Sequence, residues 1–541
     1  MFFRDPLNVA IRDSGWYIRR KIIYSHFYIY EENAGSAGPA LFQCMLRCLN
    51  IQDLQKGDKL NLYFLQKRDL YRTEFGRKGN REWREIMLKR KMTEVLKDWK
   101  RSGAKKALNI VGARQVGKST VVREFAAEEY EVFIELNFIE TPNAGQIFEE
   151  AQSARQIIEN LTAFTGQSIV PHQTLILLDE IQECPAARTA LKFLVEDDRA
   201  DYVETGSLLG VRLEEIRSLP VGFERIVEMY PMDFEEFAWA AGVQPSAIDV
   251  LRTHYEQKTP VSQAVHETWL RLFYLWMIVG GMPEVVQEYV DSHDLSRVLS
   301  LQKDILRLYE QDISKYARTV DRLRIMEIFK AIPAQLDQKN RRFQFNQIEP
   351  KARLRELESS FLWLSEAGTA LPCFNVTAPV TPLRLNEKRS LFRLYQSDTG
   401  LLCAACLQDV QFEILQGNLE INGGSILENA FAQALQSKGR ELYYYEAKAA
   451  HMELDFVVQT AKGIDVLEIK SGKDYRRHRS LDKALECPDW TIDQAIVFAP
   501  SNVEEDDRIL YLPFYMILFY QTPRPSSSRI YSVDLAALEN L

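Results

Sequence analysis

Cysteine is scarce in this chain, with seven in 541 residues. Only Cys403 and Cys406 form a CxxC, inside the apolar run 400–407, and no second CxxC or HxxxH accompanies it. A structural zinc site needs four such ligands, so the pair reads as buried thiols. Sparse cysteines suit a reducing cytosol and exclude a disulfide-stapled scaffold. Long apolar runs are missing too. No stretch reaches the roughly 18 residues that a membrane-spanning helix needs. The best candidates, Leu272–Val279 and Ile509–Tyr520, are short, the second contains Pro513, and both read as core. The N-terminal residues hold no continuous apolar segment of signal-peptide type. Nor is there an excess of positive charge: 67 Lys and Arg stand against 76 Asp and Glu, a net charge of −9. That excludes a globally basic nucleic-acid coat. The charge is uneven, however. Residues 1–100 carry 20 basic and 12 acidic side chains, and the other 441 carry 47 and 64. Any polyanion contact must be local. A cytoplasmic protein without a membrane partner is expected.

What is present is ordinary for a folded chain, at 46% hydrophobic and 26% charged residues. The length predicts roughly three to four domains. Residues 1–86 are rich in Arg, Lys and Tyr, with a strand-like run at Tyr24–Tyr30 and a loop over residues 33–39. A basic cluster follows at Arg77, Lys78, Arg81, Arg84, Lys89, Arg90 and Lys91, which reads either as a solvated face or as a phosphate contact. The spacing of Trp83, Ile86, Met87, Val95 and Trp99 predicts a helix over about 81–101. From Ala107 onward, strands at 107–111, 132–136, 174–178 and 201–205 alternate with a helix whose apolar face is Val121, Val122 and Phe125 and with helical stretches near 145–164 and 186–195. Such alternation with near-continuous apolar strands predicts a parallel α/β sheet covered on both faces. After Pro231 the chain reads as mostly helical to about Lys330, then mixed to 407, then a separate α/β region.

The chemistry concentrates at Gly112-Ala113-Arg114-Gln115-Val116-Gly117-Lys118-Ser119-Thr120. The first eight residues fit GxxxxGK[ST], and the match directly follows a strand and opens a helix, as the phosphate-loop mechanism requires. The glycines let backbone N–H groups curl into an anion nest, and the helix N-terminus adds partial positive charge. Lys118 is expected to reach the β- and γ-phosphates of ATP and Ser119 to ligate Mg²⁺. Before nucleotide arrives, Lys118 is expected to face solvent. Residues 175–180 form an apolar strand ending in Asp179 and Glu180. Asp179 is placed for Mg²⁺, and Glu180 is placed to polarise the attacking water. A third strand ends in Thr205-Gly206-Ser207, whose hydroxyls are candidates for sensing the γ-phosphate. Arg188, Arg212 and Arg225 are candidate arginine fingers.

These motifs, with Pro231-Met-Asp-Phe-Glu-Glu-Phe237 and Val279-Gly-Gly-Met-Pro-Glu284, resemble a group of prokaryotic AAA-type ATPases. The resemblance covers about 87–541 and leaves 1–86 without a counterpart, either an appended module or the product of an upstream start. It implies a P-loop NTPase parallel sheet over 87–240, a helical lid or linker over 241–330, and a winged-helix-like segment over 331–410. A restriction-endonuclease-like α/β domain over 411–541 completes it. The segment Tyr395-Gln-Ser-Asp398-Thr-Gly400-Leu401 resembles a turn typical of that group. Lys339, Arg341, Arg342, Lys351, Arg353 and Arg355 are compatible with DNA or RNA binding there, and a protein surface is the alternative partner.

Near the C-terminus, Glu428 lies on an amphipathic helix, Asp455 in the strand 452–458, and Glu468 and Lys470 in the strand 466–470. Residues two apart on a strand share a face, so Glu468 and Lys470 project together. A hairpin would bring Asp455 to Glu468, and two carboxylates can hold Mg²⁺. The set fits the Asp…Glu-x-Lys pattern of restriction-endonuclease-like nucleases, with Glu428 as an extra carboxylate. A charged hairpin face with Glu–Lys pairing is the plain alternative. Two functions remain open from the sequence. One is a Mg-dependent ATPase coupled to a nuclease-like module acting on nucleic acid. The other is an ATP-dependent interaction switch that binds a protein partner, or further copies of itself, without cutting.

Overall fold

In the computed structural model of the chain, the described residues are 88–520 except 152, 207–221, 318–320, 339–341, 345–353, 407–413, 417–422, 473 and 507. All lie in one unit, Met87–Leu541. The run Tyr24–Tyr30, the basic residues from Arg77 to Arg84, Ser207, Arg212, Lys339, Arg341, Lys351, Arg353 and the side chain of Arg355 fall outside them.

The first sheet grows from short apolar runs. Strands β1 (Ala107–Val111), β2 (Val132–Asn137), β3 (Thr174–Asp179), β4 (Asp201–Gly206) and β5 (Glu224–Glu228) pair in the order β2-β3-β4-β1-β5. All four pairings are parallel. Their registers align the carboxyl ends: Val111 faces Gly206, Asp179 faces Thr205, and Asn137 faces Asp179. Ligand sites of open parallel sheets form outside those ends. The polar and half-exposed β5 carries no apolar run and was not foreseen from the sequence. Strand alternation sends Ile134, Leu136, Ile176 and Leu178 into a core with the helices Ala154–Thr165 and Pro185–Asp197. Leu108, Ile110, Leu175, Leu177 and Val203 point the other way, into a core continuous with the rest of the molecule.

The next region is helical, as its spacing predicts, with long helices at Gln263–Val279, Leu295–Tyr316 and Arg322–Leu336. Of the helix expected over 81–101, residues 81–87 lie outside the described residues, and within them the helix runs Met92–Arg101. Beyond it, β6 (Ala370–Val376), β7 (Glu387–Gln396), β8 (Tyr443–Ala447) and β9 (Met452–Leu454) form a mixed sheet ordered β7-β6-β8-β9. That sheet draws strands from both sides of residue 410. Strands β10 (Phe456–Gln459), β11 (Ile464–Ile469), β12 (Ile492–Ala499), β13 (Glu504–Asp506) and β14 (Ile509–Pro513) form a second mixed sheet ordered β10-β11-β12-β14-β13. The apolar stretches Leu272–Val279 and Ile509–Tyr520 are indeed core. Cys403 is buried, with its Sγ–H donating to the Met277 carbonyl at 3.4 Å. Among the described residues, no helix is long and apolar enough to cross a membrane.

Three sequence motifs meet at one point. The Met232 N–H donates to the Gly281 carbonyl at 2.7 Å, and the Gly281 N–H donates to Asp398 Oδ2 at 2.6 Å. Asp398 Oδ1 also accepts from the Leu401 N–H at 3.0 Å. The backbones approach so closely that a Cβ on Gly281 would stand 2.1 Å from the Met232 carbonyl oxygen, and one on Gly400 would stand 2.5 Å from that of Val279. Burial pushes the Asp398 carboxyl up to about 6 despite these N–H donors. Gly281→Ala is therefore expected to destabilise the chain by about 1–3 kcal/mol or more through overpacking. A thermal-unfolding midpoint equal to wild type would count against the crossing.

Candidate functional site: the phosphate loop and its acidic strand

The phosphate loop follows β1 and opens the helix Lys118–Glu129. Gly112 and Gly117 have φ of 148° and 92°, values that favour glycine, and Gln115 joins them at 66°. A Cβ on Gly112 would also stand 2.1 Å from the Met229 carbonyl oxygen, where β5 ends. Three sequence-distant groups brace the loop. Arg90 Nη1 donates to the Val116 carbonyl at 2.6 Å, while its Nη2 and Nε reach the Tyr230 carbonyl and Glu236. The Tyr309 hydroxyl donates to the Arg114 carbonyl at 3.2 Å. Arg114 Nη1 pairs with Asp312 Oδ1 at 2.5 Å.

These contacts revise the reading of Arg90 in the basic segment. Arg90 is buried, Lys91 pairs with Asp233 at 2.5 Å and Glu235 at 2.7 Å, and Lys89 lies over the Trp239 ring. Arg90 locks the loop, whereas Lys89 and Lys91 stay exposed against Trp239, Asp233 and Glu235, as a solvated face would. Sequence inspection misses this because the partners lie about 140 residues away and leave no local periodicity.

Lys118 also differs from expectation. It is only 8% exposed, and its Nζ donates to the Gly112 and Ala113 carbonyls at 2.9 and 2.8 Å. Burial lowers its pKa to about 8, against the opposing pull of Glu180 and Asp179. The loop carbonyls fold back onto the ammonium and exclude water, so Lys118 does not face solvent.

Asp179 ends β3 in a buried position and accepts three side-chain donors. Ser119 Oγ reaches its Oδ1 at 2.8 Å, Thr205 Oγ1 reaches the same oxygen, and Asn137 Nδ2 reaches Oδ2 at 2.9 Å. Ser119, Asp179 and Thr205 are thus brought together, with Asn137 as a member that the sequence did not single out. Its only signal was a polar residue ending a strand. The oxygen donors Ser119 and Asp179 suit a hard divalent cation such as Mg²⁺. Glu180 is half-buried in a left-handed conformation (φ 54°), and Gln182 Nε2 donates to its Oε2. A non-glycine residue there is strained, as is frequent at functional positions.

Of the arginine-finger candidates, Arg188 is buried and pairs with Glu224 at 3.3 Å and Glu204 at 3.9 Å. Held inside the sheet–helix layer, it has no reach to a second subunit. Arg225 is exposed on β5. Burial pushes the Glu204 carboxyl up to about 8, with Glu224 adding to the shift.

The C-terminal carboxylates have different partners. The β10–β11 hairpin pairs Phe456 with Leu467, so one step further Asp455 lies opposite Glu468. Asp455 Oδ2 accepts from the Ile469 N–H at 2.9 Å, and Lys470 Nζ pairs with Glu468 Oε1 at 2.6 Å. Burial and then Asp455 push Glu468 up to about 8. Glu428 faces a guanidinium: Arg393 Nη1 lies 3.6 Å from its Oε2, and Tyr395 donates to the same oxygen at 3.3 Å. Fully buried Arg393 also pairs with Glu453. Among the described residues, no group of three or more His, Cys, Asp or Glu is arranged to hold a metal ion.

Comparison with known proteins assigns part of this. Residues 104–238 match the AAA_14 family, an AAA domain. Residues 270–411 and 423–516 match two domains of unknown function, DUF8612 and DUF4143. No curated protein matches the chain. Among solved structures, a Walker-type ATPase of Pyrococcus abyssi aligns at 15% identity, covering 60% of this chain and 97% of that one, with a TM-score of 0.37. PCH-2 of C. elegans aligns at 12% identity over 40% and 68%, with a TM-score of 0.24. Cdc6p of Pyrobaculum aerophilum aligns at 10% over 61% and 93%, with a TM-score of 0.21. Likeness at these scores does not bear on function. The chain carries an AAA-type P-loop domain, with the nucleotide binding that such a domain implies, followed by two domains of unknown function.

A buried lysine with a depressed pKa takes up a proton when a polyanion arrives. ATP binding near pH 8–9 is expected to consume protons, seen as a calorimetric enthalpy that varies with the ionisation enthalpy of the buffer. The uptake should vanish in Lys118→Ala. Buffer-independent heats in the wild type would contradict the buried placement of the ammonium.

Proposed function

We propose that the chain is a Mg²⁺-dependent ATPase of AAA type. The observation that carries this reading is the Ser119–Asp179 hydrogen bond, with Thr205 on the same carboxylate oxygen. It joins the start of the phosphate-loop helix to the end of the acidic strand across the intervening β4. Residues Gly112–Thr120 take the phosphates through backbone N–H groups. Lys118 leaves the Gly112 and Ala113 carbonyls for the β- and γ-phosphate oxygens. Ser119 and Asp179 would hold Mg²⁺, which would supply charge neutralisation on the phosphates. Glu180, one residue beyond Asp179, takes the proton of the attacking water, and Thr205 with Ser207 reads the γ-phosphate.

For the C-terminal region the interaction-switch reading is the better one. It is favoured by Arg393, whose guanidinium stands against Glu428 and Glu453 and ties up the helix carboxylate that the nuclease-like pattern would use. The nuclease-like reading rests on Asp455, Glu468 and Lys470 alone, and the observed Glu468–Lys470 pair also satisfies the plain charged-hairpin alternative. DNA and RNA remain partners to be tested on the full chain. The switch reading expects no cleavage of either with Mg²⁺ or Mn²⁺; cleavage abolished by Asp455→Asn and Lys470→Ala would replace it with the nuclease.

For the ATPase itself, Glu180→Gln keeps size and hydrogen bonding but removes the base. It is expected to bind ATP and to hydrolyse it about 10²–10⁴-fold more slowly. Single-turnover hydrolysis at wild-type speed would move the base elsewhere.

A further inference from the structure

The phosphate loop has an outer wall as well as an inner one. On the outer side, Tyr309 and Asp312 lie three residues apart on the helix Leu295–Tyr316 and so share a face. Tyr309 holds the Arg114 carbonyl, and Asp312 holds the Arg114 guanidinium. Gly368, at the end of another segment, lies so close that a Cβ there would stand 2.8 Å from the Ala113 nitrogen. The loop main chain is therefore fixed from behind by residues about 200 positions downstream.

The Arg114 side chain is the part of this wall most open to solvent. It is 39% exposed, whereas that of Asp312 is 12% exposed. Arg114 is also near enough to Lys118 for its charge to lower the pKa of that ammonium. A cavity of about 10 Å³, lined by Arg114, Tyr309, Asp312 and Trp363, lies behind the pair. It holds room for roughly one water, so it is no ligand site.

Resting on the ATP reading above, we propose that Asp312 is a positioning residue for the phosphate loop. It holds Arg114 out of the phosphate cradle, and the γ-phosphate of an incoming nucleoside triphosphate competes with it for the guanidinium. Both acceptors are anionic, and a guanidinium pairs with a carboxylate or a phosphate through the same planar donors. A diphosphate lacks the competing group. Moving Arg114 to the nucleotide breaks the side-chain link to the helix Leu295–Tyr316, which packs against the helix Thr399–Cys406 next to the Asp398 crossing. By linkage, whatever holds that helix in place opposes triphosphate binding to the same degree.

The test is equilibrium titration of the full chain with Mg-ATP and Mg-ADP in wild type, Asp312→Asn, Arg114→Ala, the double variant and Asp312→Glu. Asp312→Asn is expected to bind ATP about 5-fold or more tighter, the low end of typical coupling, with ADP affinity unchanged. Arg114→Ala should lose the gain, the double variant should match Arg114→Ala, and Asp312→Glu should stay near wild type. A merely structural role for Asp312 predicts weaker ATP and ADP binding alike, and that outcome overturns the inference, as would additive effects in the double variant. If Asp312→Asn fails to fold, Arg114→Ala at the exposed end of the pair decides. Its ATP-to-ADP affinity ratio should fall, and an unchanged ratio overturns the proposal. A wild-type chain that binds neither nucleotide removes the ATP reading itself, whereas normal wild-type binding with an unaltered Asp312→Asn removes only the role of Asp312.

Discussion

Everything downstream of the parallel sheet hangs on a buried carboxylate. Asp398 accepts the N–H groups of Gly281 and Leu401, and the Gly281 carbonyl in turn accepts the Met232 N–H. Three segments far apart in sequence, around Met232, Gly281 and Asp398, thus satisfy one another's backbone groups out of reach of water. An unpaired group there would carry its full desolvation cost, about 1–3 kcal/mol each. The glycines are required because the chains cross at a distance that no Cβ tolerates. Through this crossing the hydrophobic face of Leu108, Ile110 and Val203 continues into the helical and C-terminal regions as one core.

The phosphate loop is built on the same principle. Its curvature demands positive φ at Gly112 and Gly117, and its carbonyls are then left facing inward and outward. Lys118 takes the inward carbonyls of Gly112 and Ala113, while Arg90 and Tyr309 take those of Val116 and Arg114. The opposing carboxylates Asp179 and Glu180 raise the pKa of Lys118, and burial outweighs them. The ammonium is thus held in place at a cost in solvation that an arriving phosphate relieves.

The two acidic sites make an instructive contrast. The side chains that donate to Asp179 are neutral, two hydroxyls and an amide, and none of them is a fixed charge. Glu428 faces the guanidinium of Arg393, which cannot be deprotonated. A divalent ion there would meet a fixed positive charge. Similar residue types therefore support different chemistry because of what stands opposite them.

Much of the parallel sheet was legible in the sequence. Strands β1 to β3 are dense apolar runs, the loop is a glycine-punctuated phosphate motif between strand and helix, and Asp179 follows from its place at a strand end. Those are local properties, set by backbone sterics and by side-chain alternation over a few residues. The polar edge strand β5 lacked such a run and was missed. Asn137 showed no pattern either, because its role comes from a parallel register. Lys118 was misplaced toward solvent because burial depends on carbonyls folding over it. Arg90, Arg114 and Glu428 were given loose or wrong surroundings for one reason. Their partners Glu236, Asp312 and Arg393 lie 146, 198 and 35 residues away. Sequence alone determined the strands, the phosphate loop and the order of the acidic residues, through short-range geometry. Which charges neutralise which was decided only by the tertiary structure, because ion pairing is set by distance in space and leaves no periodic mark along the chain.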